Sequence, residues 1–305
     1  MMGFTFTLTR KYKDVNMVPV NAIGGLIAAL IAFFGVLVLT PEGILVKLAN
    51  SDSFTVLFWR GIFFALSILI ILFLGYRSRA IKEIKNIGKE GILIGCLTGL
   101  GGATFNLAIH YTTLAKTLVI ISASPLMVAL VSFFLLKEKP KLFTWLAMII
   151  VFFGIYIVMS GDTSGVNLTG SLFALASVTT GGFSFTLLRK YKEVNMVPAM
   201  AINGLFITIV GLLFAESLAL SSQAMTYIII SSILVAISFT LITIAPQYIP
   251  APEVAIFFPM GTVIGTVLAW LVLKEELSTN AVFGGVIVVL TLFIHSIYSA
   301  RQFKN

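Results

Sequence analysis

Residues 107–138 read LAIHYTTLAKTLVIISASPLMVALVSFFLLKE, and residues 244–275 read IAPQYIPAPEVAIFFPMGTVIGTVLAWLVLKE. At an offset of 137, Ala108 and Tyr111 fall on Ala245 and Tyr248, small residues fall on small residues, and LLKE at 135–138 falls on VLKE at 272–275. Upstream, at an offset of 143, WRG at 59–61 lies over ING at 202–204. One pattern is written twice, and the number of membrane crossings between the copies decides the architecture.

Crossings follow from composition. Of the 305 residues 59% are hydrophobic and only 10% charged, and the mean hydropathy is +1.07, outside the range of a soluble domain. Apolar stretches of spanning length lie at about 20–40, 53–74, 89–111, 115–136, 141–160, 167–188, 196–217, 226–247, 251–273 and 279–298. Lipid offers backbone groups no hydrogen-bond partner, so each stretch is expected to be helical, and the alternation of a barrel strand is absent. Pro41 and Glu42 are expected to end or kink the first span before ILVKLA continues toward Asp52. The two copies stand five spans apart. Five is odd, so the halves insert with opposite orientation. The expected fold is an all-α membrane protein of ten transmembrane helices in two inverted five-helix repeats, 20–160 and 167–298, with an arm at 1–19 and a tail at 299–305. Such halves place a binding site at their interface near the midplane.

With the N-terminus inside, cytoplasmic segments hold 16 of the 20 Lys and Arg, namely the arm, RSRAIKEIKNIGK, KEKPK, RKYKE and the tail. This asymmetry predicts a multi-pass protein of the cytoplasmic membrane with both termini cytoplasmic. It also accounts for the net charge of +8 without a nucleic-acid partner, anionic lipid headgroups being sufficient. Cys96 has no second cysteine, which excludes a disulfide framework. No short apolar core with a small-residue cleavage site precedes the first span, so no cleaved signal peptide is expected.

A more conspicuous repeat has a different origin. GFTFTLTRKYKDVNMVP at 3–19 and GFSFTLLRKYKEVNMVP at 182–198 agree at 14 of 17 positions. Six crossings separate them, which puts both on the cytoplasmic side and rules the pair out as the inverted repeat. GFTFTLT is too short to span, so residues 1–19 read as a basic cytoplasmic or interfacial arm, with a recent local duplication, a recombination or a fused gene model as the source of the repeat.

The arrangement resembles the drug/metabolite transporter superfamily, and within it the ten-helix EamA-type transporters. The resemblance rests on FTVLFWRG in span two, on FNLAIHYTTLAK through FFGIYIVM in spans three to five, and on APQYIPAPEVAIFFPMG through KEELSTNAVFGGVIVV in the second half. Small-residue entries to spans four and nine, a mid-span proline, a Leu-x-Glu ending and a glycine-bearing final helix are similar to that family's repeated pattern. Similar proteins often carry Gly before the Glu that ends spans four and nine, where this chain has Lys137 and Lys274. The resemblance implies export of a small organic metabolite.

Arg60 is the one strongly charged residue well inside a span, the default site for an anionic group. Its alternative is to snorkel or to cap a neighbouring helix. Trp59 lines the pathway or faces lipid. Asn203 is the repeat counterpart of Arg60, and makes either a substrate contact or an interhelical hydrogen bond. Asn106, His110 and Tyr111 close span three and Lys116 opens span four, toward the outside, while Gln247, Tyr248 and Glu253 occupy the matching inner positions. The substrate-binding candidates are thus Arg60, Trp59, Asn203, Asn106, His110, Tyr111, Gln247 and Tyr248, with Lys116 and Glu253 as gating or coupling groups; interfacial anchoring is the alternative for the outer and inner sets. Gly95 with Gly99, and Gly261 with Gly265, are spaced for close helix approach.

Glu42 and Glu216 sit near the outer ends of their spans, so no deeply buried carboxylate is expected. The two histidines, His110 and His295, have no acidic neighbours and no Ser/His/Asp arrangement is present, which argues against a metal, a cofactor and an enzyme. The expected activity is alternating-access export of a small metabolite, an amino acid or related compound, anionic ones included, by a monomer or homodimer in contact with membrane lipids. A lipid or lipid-precursor flippase of the same fold, or a non-transporting assembly or sensor subunit, are the alternatives.

Overall fold

Among the described residues the chain forms ten apolar helices. The computed structural model describes residues 30–137, 140, 142–160, 165–245, 257–275 and 278–302, and of 165–167 and 296–302 the backbone only. The helices are α1 (Leu30–Ala49), α2 (Ser53–Tyr76), α3 (Gly88–Tyr111), α4 (Leu114–Leu136), α5 (Leu142–Ser160), α6 (Gly165–Lys190), α7 (Ala199–Phe214), α8 (Ser222–Ile244), α9 (Phe258–Leu273) and α10 (Thr279–Gln302). Seven contain a stretch long and apolar enough to cross a membrane; α7, α9 and α10 are shorter apolar helices. A short helix, Ala80–Asn86, joins α2 to α3. Among the described residues there is no β-strand. The protein is an all-α membrane protein with a duplicated helical repeat.

Local chemistry sets the ends and breaks of these helices. Asp52 caps α2, its Oδ2 accepting from the backbone N–H groups of Phe54 at 3.0 Å and Thr55 at 2.9 Å. Thr113 caps α4 and Ser221 caps α8 in the same manner. α4 breaks at Ser122–Ala123, one turn ahead of the position where Pro125 would deny a hydrogen bond, and resumes at Ser124. α1 takes the kinked form of the expected first span. It turns at Thr40–Pro41 but resumes at Glu42 and runs to Ala49, Leu45 N–H donating to Pro41 C=O at 3.1 Å. Glu42 does not stop the helix because its carboxylate has a partner inside the bundle.

The packing pattern maps onto itself when each helix is replaced by the one five places along. α2 packs on α7, α5 on α10 and α4 on α9, each helix on its own counterpart. The contact of α3 with α6 is matched by that of α8 with α1, α3 with α7 by α8 with α2, and α4 with α6 by α9 with α1. This is what two halves related by a pseudo-two-fold axis in the membrane plane produce.

The self-matched crossings are close because they use glycine. A Cβ on Gly204 of α7 would lie 2.7 Å from the Ala65 Cβ and 2.8 Å from the Ala65 nitrogen on α2, and one on Gly284 of α10 would lie 2.9 Å from the Val158 nitrogen on α5. Backbone cannot step aside, so only the missing side chain permits the approach. Gly95 and Gly99 seat α3 against Ile202 and Phe206 of α7.

At one end of the bundle, the Asn50 end, the α1–α2 turn meets the start of α4 and the finish of α9. At the other, the Asn195 end, Asn195 Nδ2 donates to Glu83 Oε2 at 3.1 Å and so ties the α6–α7 turn to the Ala80–Asn86 helix.

Candidate functional site

A cavity of about 170 Å³ lies at the centre of the bundle. α1, α2, α3, α4, α6, α7, α8 and α9 all reach its wall, so each of these helices brings its repeat counterpart; among the described residues α5 and α10 add none. Most of the lining is apolar or glycine. The charged groups among the lining residues are Glu42 of α1 and Arg60 of α2, which form an ion pair through Glu42 Oε1 and Arg60 Nη2. Glu42 is 6% exposed and Arg60 4%. Each stands seven residues in from the Asn50 end, counted from Ala49 and from Ser53, about 10 Å along a helix. Arg60 Nη1 has no hydrogen-bond partner among the described residues.

Sequence reasoning found Arg60 and missed Glu42. Pro41 makes the segment look like a helix end, and nothing local shows that its neighbour meets a residue 18 positions away. The available signal was depth: counted from the Asp52 cap, both charges fall at the same level.

The remaining polar lining is hydroxyl. Thr40, Thr98, Ser124, Ser177, Ser184 and Thr262 each donate to a backbone carbonyl, at 3.2, 2.7, 2.6, 2.9, 2.9 and 2.7 Å. Their protons are engaged, so what they keep for a guest is lone pairs. The cavity thus offers these hydroxyl acceptors, together with the Thr243 hydroxyl, around the Arg60 guanidinium. The second copy of the 17-residue repeat closes α6 and opens α7, placing Ser184, Phe185 and Leu188 on this wall.

A second, polar pocket of about 370 Å³ lies at the Asn50 end, between the α1–α2 turn and the last turns of α3. Asn106 and His110 line it, together with Lys47, Asp52 and Ser53. The rim is built from interlocked caps: Asn50 takes the left-handed conformation at φ 43°, Ser51 Oγ donates to Ala49 C=O at 2.9 Å, and Asp52 holds the start of α2. Nearby, Glu275 at the end of α9 accepts from the first N–H groups of α4, Leu114 at 3.0 Å and Ala115 at 3.1 Å. A carboxylate suits the positive end of a helix. Lys47 Nζ stands 3.8 Å from Glu275 and donates to Thr112 C=O at 3.1 Å, so one cluster joins α1, α3, α4 and α9.

The other expected residues are dispersed. Trp59 Nε1 donates to Leu218 C=O at 2.8 Å, and its ring stacks on Phe63, which holds it against the α7–α8 connection. Asn203 is buried at the α2–α7 crossing, three residues from cavity-lining Met200, and its Oδ1 has no partner among the described residues. Tyr111 stacks on Phe173 of α6 with ring centroids 5.9 Å apart. Lys116 is buried in the first turn of α4. Gln247, Tyr248 and Glu253 lie outside the described residues, as does the arm at 1–19. Among the described residues no cluster of three His, Cys, Asp or Glu could hold a metal ion; His295 bonds Thr144 Oγ1 at 3.1 Å, far along the chain from His110.

The chain as a whole is similar to known proteins. The model of the EamA-like transporter family matches twice, over residues 42–160 and 168–297. Among curated proteins, the chain is 23% identical over 209 residues to an uncharacterized transporter of Methanothermobacter thermautotrophicus, covering 65% of this chain and 58% of that one, so it spans less than two thirds of that relative's length. It is 21% identical over 250 residues to the uncharacterized transporter YoaV of Bacillus subtilis, covering 78% of this chain and 85% of that one. It is 24% identical over 265 residues to an uncharacterized transporter of Clostridium kluyveri, covering 80% and 84%. A solved crystal structure superposes with a TM-score of 0.66 at 15% identity, covering 90% of this chain and 98% of that one, a likeness of fold.

Proposed function

The chain belongs to the EamA-like transporter family and is a multi-pass membrane transporter, and from that premise we propose that it exports a small organic compound carrying a carboxylate, an amino acid or a close relative, by alternating access through the central cavity. One observation carries the reading: a cavity walled by matching helices of both halves, holding a buried Glu42–Arg60 pair as its charged feature. Glu42 holds Arg60 through Nη2 only, which leaves Nη1 to meet a substrate oxygen. A substrate carboxylate takes up Arg60, whose planar fork suits it, while the hydroxyl lone pairs accept from a protonated amine. A cavity of about 150 Å³ admits a molecule the size of benzene, so the guest is small, on the order of the smaller apolar amino acids. The lysine and arginine asymmetry supports placing both termini, and the Asn195 end, in the cytoplasm of a cell whose cytoplasmic membrane holds the protein.

The test is transport in liposomes by the purified chain against a panel of amino acids and simple carboxylates. Arg60→Lys is expected to keep partial transport of the accepted compound. Arg60→Ala alone strands Glu42, so it is made together with Glu42→Gln, and that double variant is expected to insert normally and lose transport. Undiminished transport by it would remove Arg60 from the substrate path.

A further inference from the structure

The polar pocket at the Asn50 end stands directly in line with the central cavity. On each of three helices one turn separates a residue lining the first from a residue lining the second: Glu42 and Val46 on α1, Arg60 and Val56 on α2, Gly102 and Asn106 on α3. A turn is about 5.4 Å, so a single layer of side chains divides the two spaces.

Two buried polar side chains on the pocket wall lack partners among the described residues. Asn106 is 1% exposed and Ser53 4%, both line it, and neither the Asn106 Nδ2 nor the Ser53 Oγ has a hydrogen-bond partner among the described residues. A buried donor without a partner is costly, of order 1–3 kcal/mol, and persists where something else supplies the bond. The Lys47 ammonium lines the same pocket, steadied by Thr112 C=O and Glu275. Two unpartnered donors beside a fixed cation call for an acceptor with negative charge. Asp52 is the counterweight on the rim, where its Oδ2 caps α2 while the residue stays exposed. Its charge repels a simple anion and welcomes one that also carries an amine.

We infer that this pocket is a second binding site for a small zwitterion, its carboxylate on Asn106, Ser53 and Lys47 and its amine toward Asp52, one helical turn from the central site on the same translocation path. The inference rests on the substrate reading given above and adds to it a second place of residence. Substrate would pass between the two sites when the Val46, Val56 and Asn106 layer parts.

Equilibrium binding of radiolabelled L-valine to the purified full-length chain in nanodiscs tests it, with 3-methylbutanoate as the amine-free competitor and 2-methylpropylamine as the carboxylate-free one. Two equivalents per chain are expected. Glu42→Gln/Arg60→Ala is expected to leave one, and Asn106→Leu to leave one of the other kind; Ser53→Ala, a milder change, is expected to weaken that same equivalent about tenfold, which guards against a folding defect in Asn106→Leu. At the outer site 3-methylbutanoate is expected to compete, more weakly than valine itself, and the amine not to compete. A single equivalent that Glu42→Gln/Arg60→Ala abolishes and both pocket variants leave unchanged would overturn the second site while sparing the transport reading. A single equivalent lost in the pocket variants alone would support this site and overturn the central one. No saturable binding at all would overturn both.

Discussion

Glu42 and Arg60 form a buried ion pair on the cavity wall. Removing one partner from such a pair costs about 3–5 kcal/mol, because the other is left charged and alone, whereas replacing both by apolar groups of like volume is often neutral. Glu42→Gln is therefore expected to be strongly destabilised, and Glu42→Gln/Arg60→Met to recover most of the loss while remaining inactive. Thermal unfolding in micelles and liposome transport measure the two halves of that statement. Should the double variant be no more stable than the single, the two residues do not act as a pair. Arg60 was legible in the sequence because a charge among apolar residues stands out. Glu42 was not, since a proline beside a carboxylate reads as a helix stop, and the pairing that keeps α1 going is made across helices. The residues of the polar pocket divide the same way: Asn106 and His110 were legible as polar positions at a span end, but Ser53, Asp52 and Lys47 belong to the pocket only through the fold of the turn between α1 and α2.

At the level of elements, the twofold pattern in the sequence has a counterpart in backbone conformation. Lys137 ends α4 and Lys274 ends α9, and both adopt the left-handed conformation, at φ 57° and 53°. That conformation strains a residue with a side chain and suits glycine, which gives a physical reason for the glycine frequent here in similar proteins. Lys137→Gly and Lys274→Gly are each expected to stabilise the protein by about 0.5–1 kcal/mol, read as a higher unfolding midpoint; a lower midpoint would mean that the lysine side chains contribute more than the strain removes. The opposite sign is expected at Gly204, where any Cβ meets the Ala65 backbone of α2. Gly204→Val is expected to lose more than 2 kcal/mol by forcing apart a closely packed crossing. Repeat offsets alone pointed to the lysine pair, but not to its conformation, because a cap is defined by the turn that follows. The existence and order of the helices were readable from hydropathy. The turn in α1 at Thr40–Pro41 falls where Pro41 marked it in the sequence, whereas the break in α4 at Ser122–Ala123 was not anticipated.

Over the whole molecule, the exchange of each helix with its counterpart makes one half a guide to the other. Glu275 ties the end of α9 to the start of α4 at the Asn50 end, and Glu138 is its counterpart in the first half at an offset of 137. By that relation Glu275→Gln is expected to favour opening at the Asn50 end and Glu138→Gln at the Asn195 end. A cysteine at cavity position Ser124, probed with a membrane-impermeant thiol reagent from either side after Cys96 is replaced, would then shift its labelling in opposite directions in the two variants; a shift in the same direction would break the symmetry argument. Deleting residues 1–17 is expected to leave insertion and transport unchanged, because the copy that walls the cavity is the one at 182–198; loss of transport with normal insertion would make the arm a working part. The Glu275 cluster also has a consequence for speed. Under the alternating-access cycle proposed above, the two Glu275 hydrogen bonds and the Lys47 contact have to loosen each time the Asn50 end opens, whatever the cavity holds. The barrier is shared by every passenger, so among accepted compounds the maximal turnover rate should vary far less than the concentration needed to reach it, and Glu275→Gln should raise the rate for all of them together.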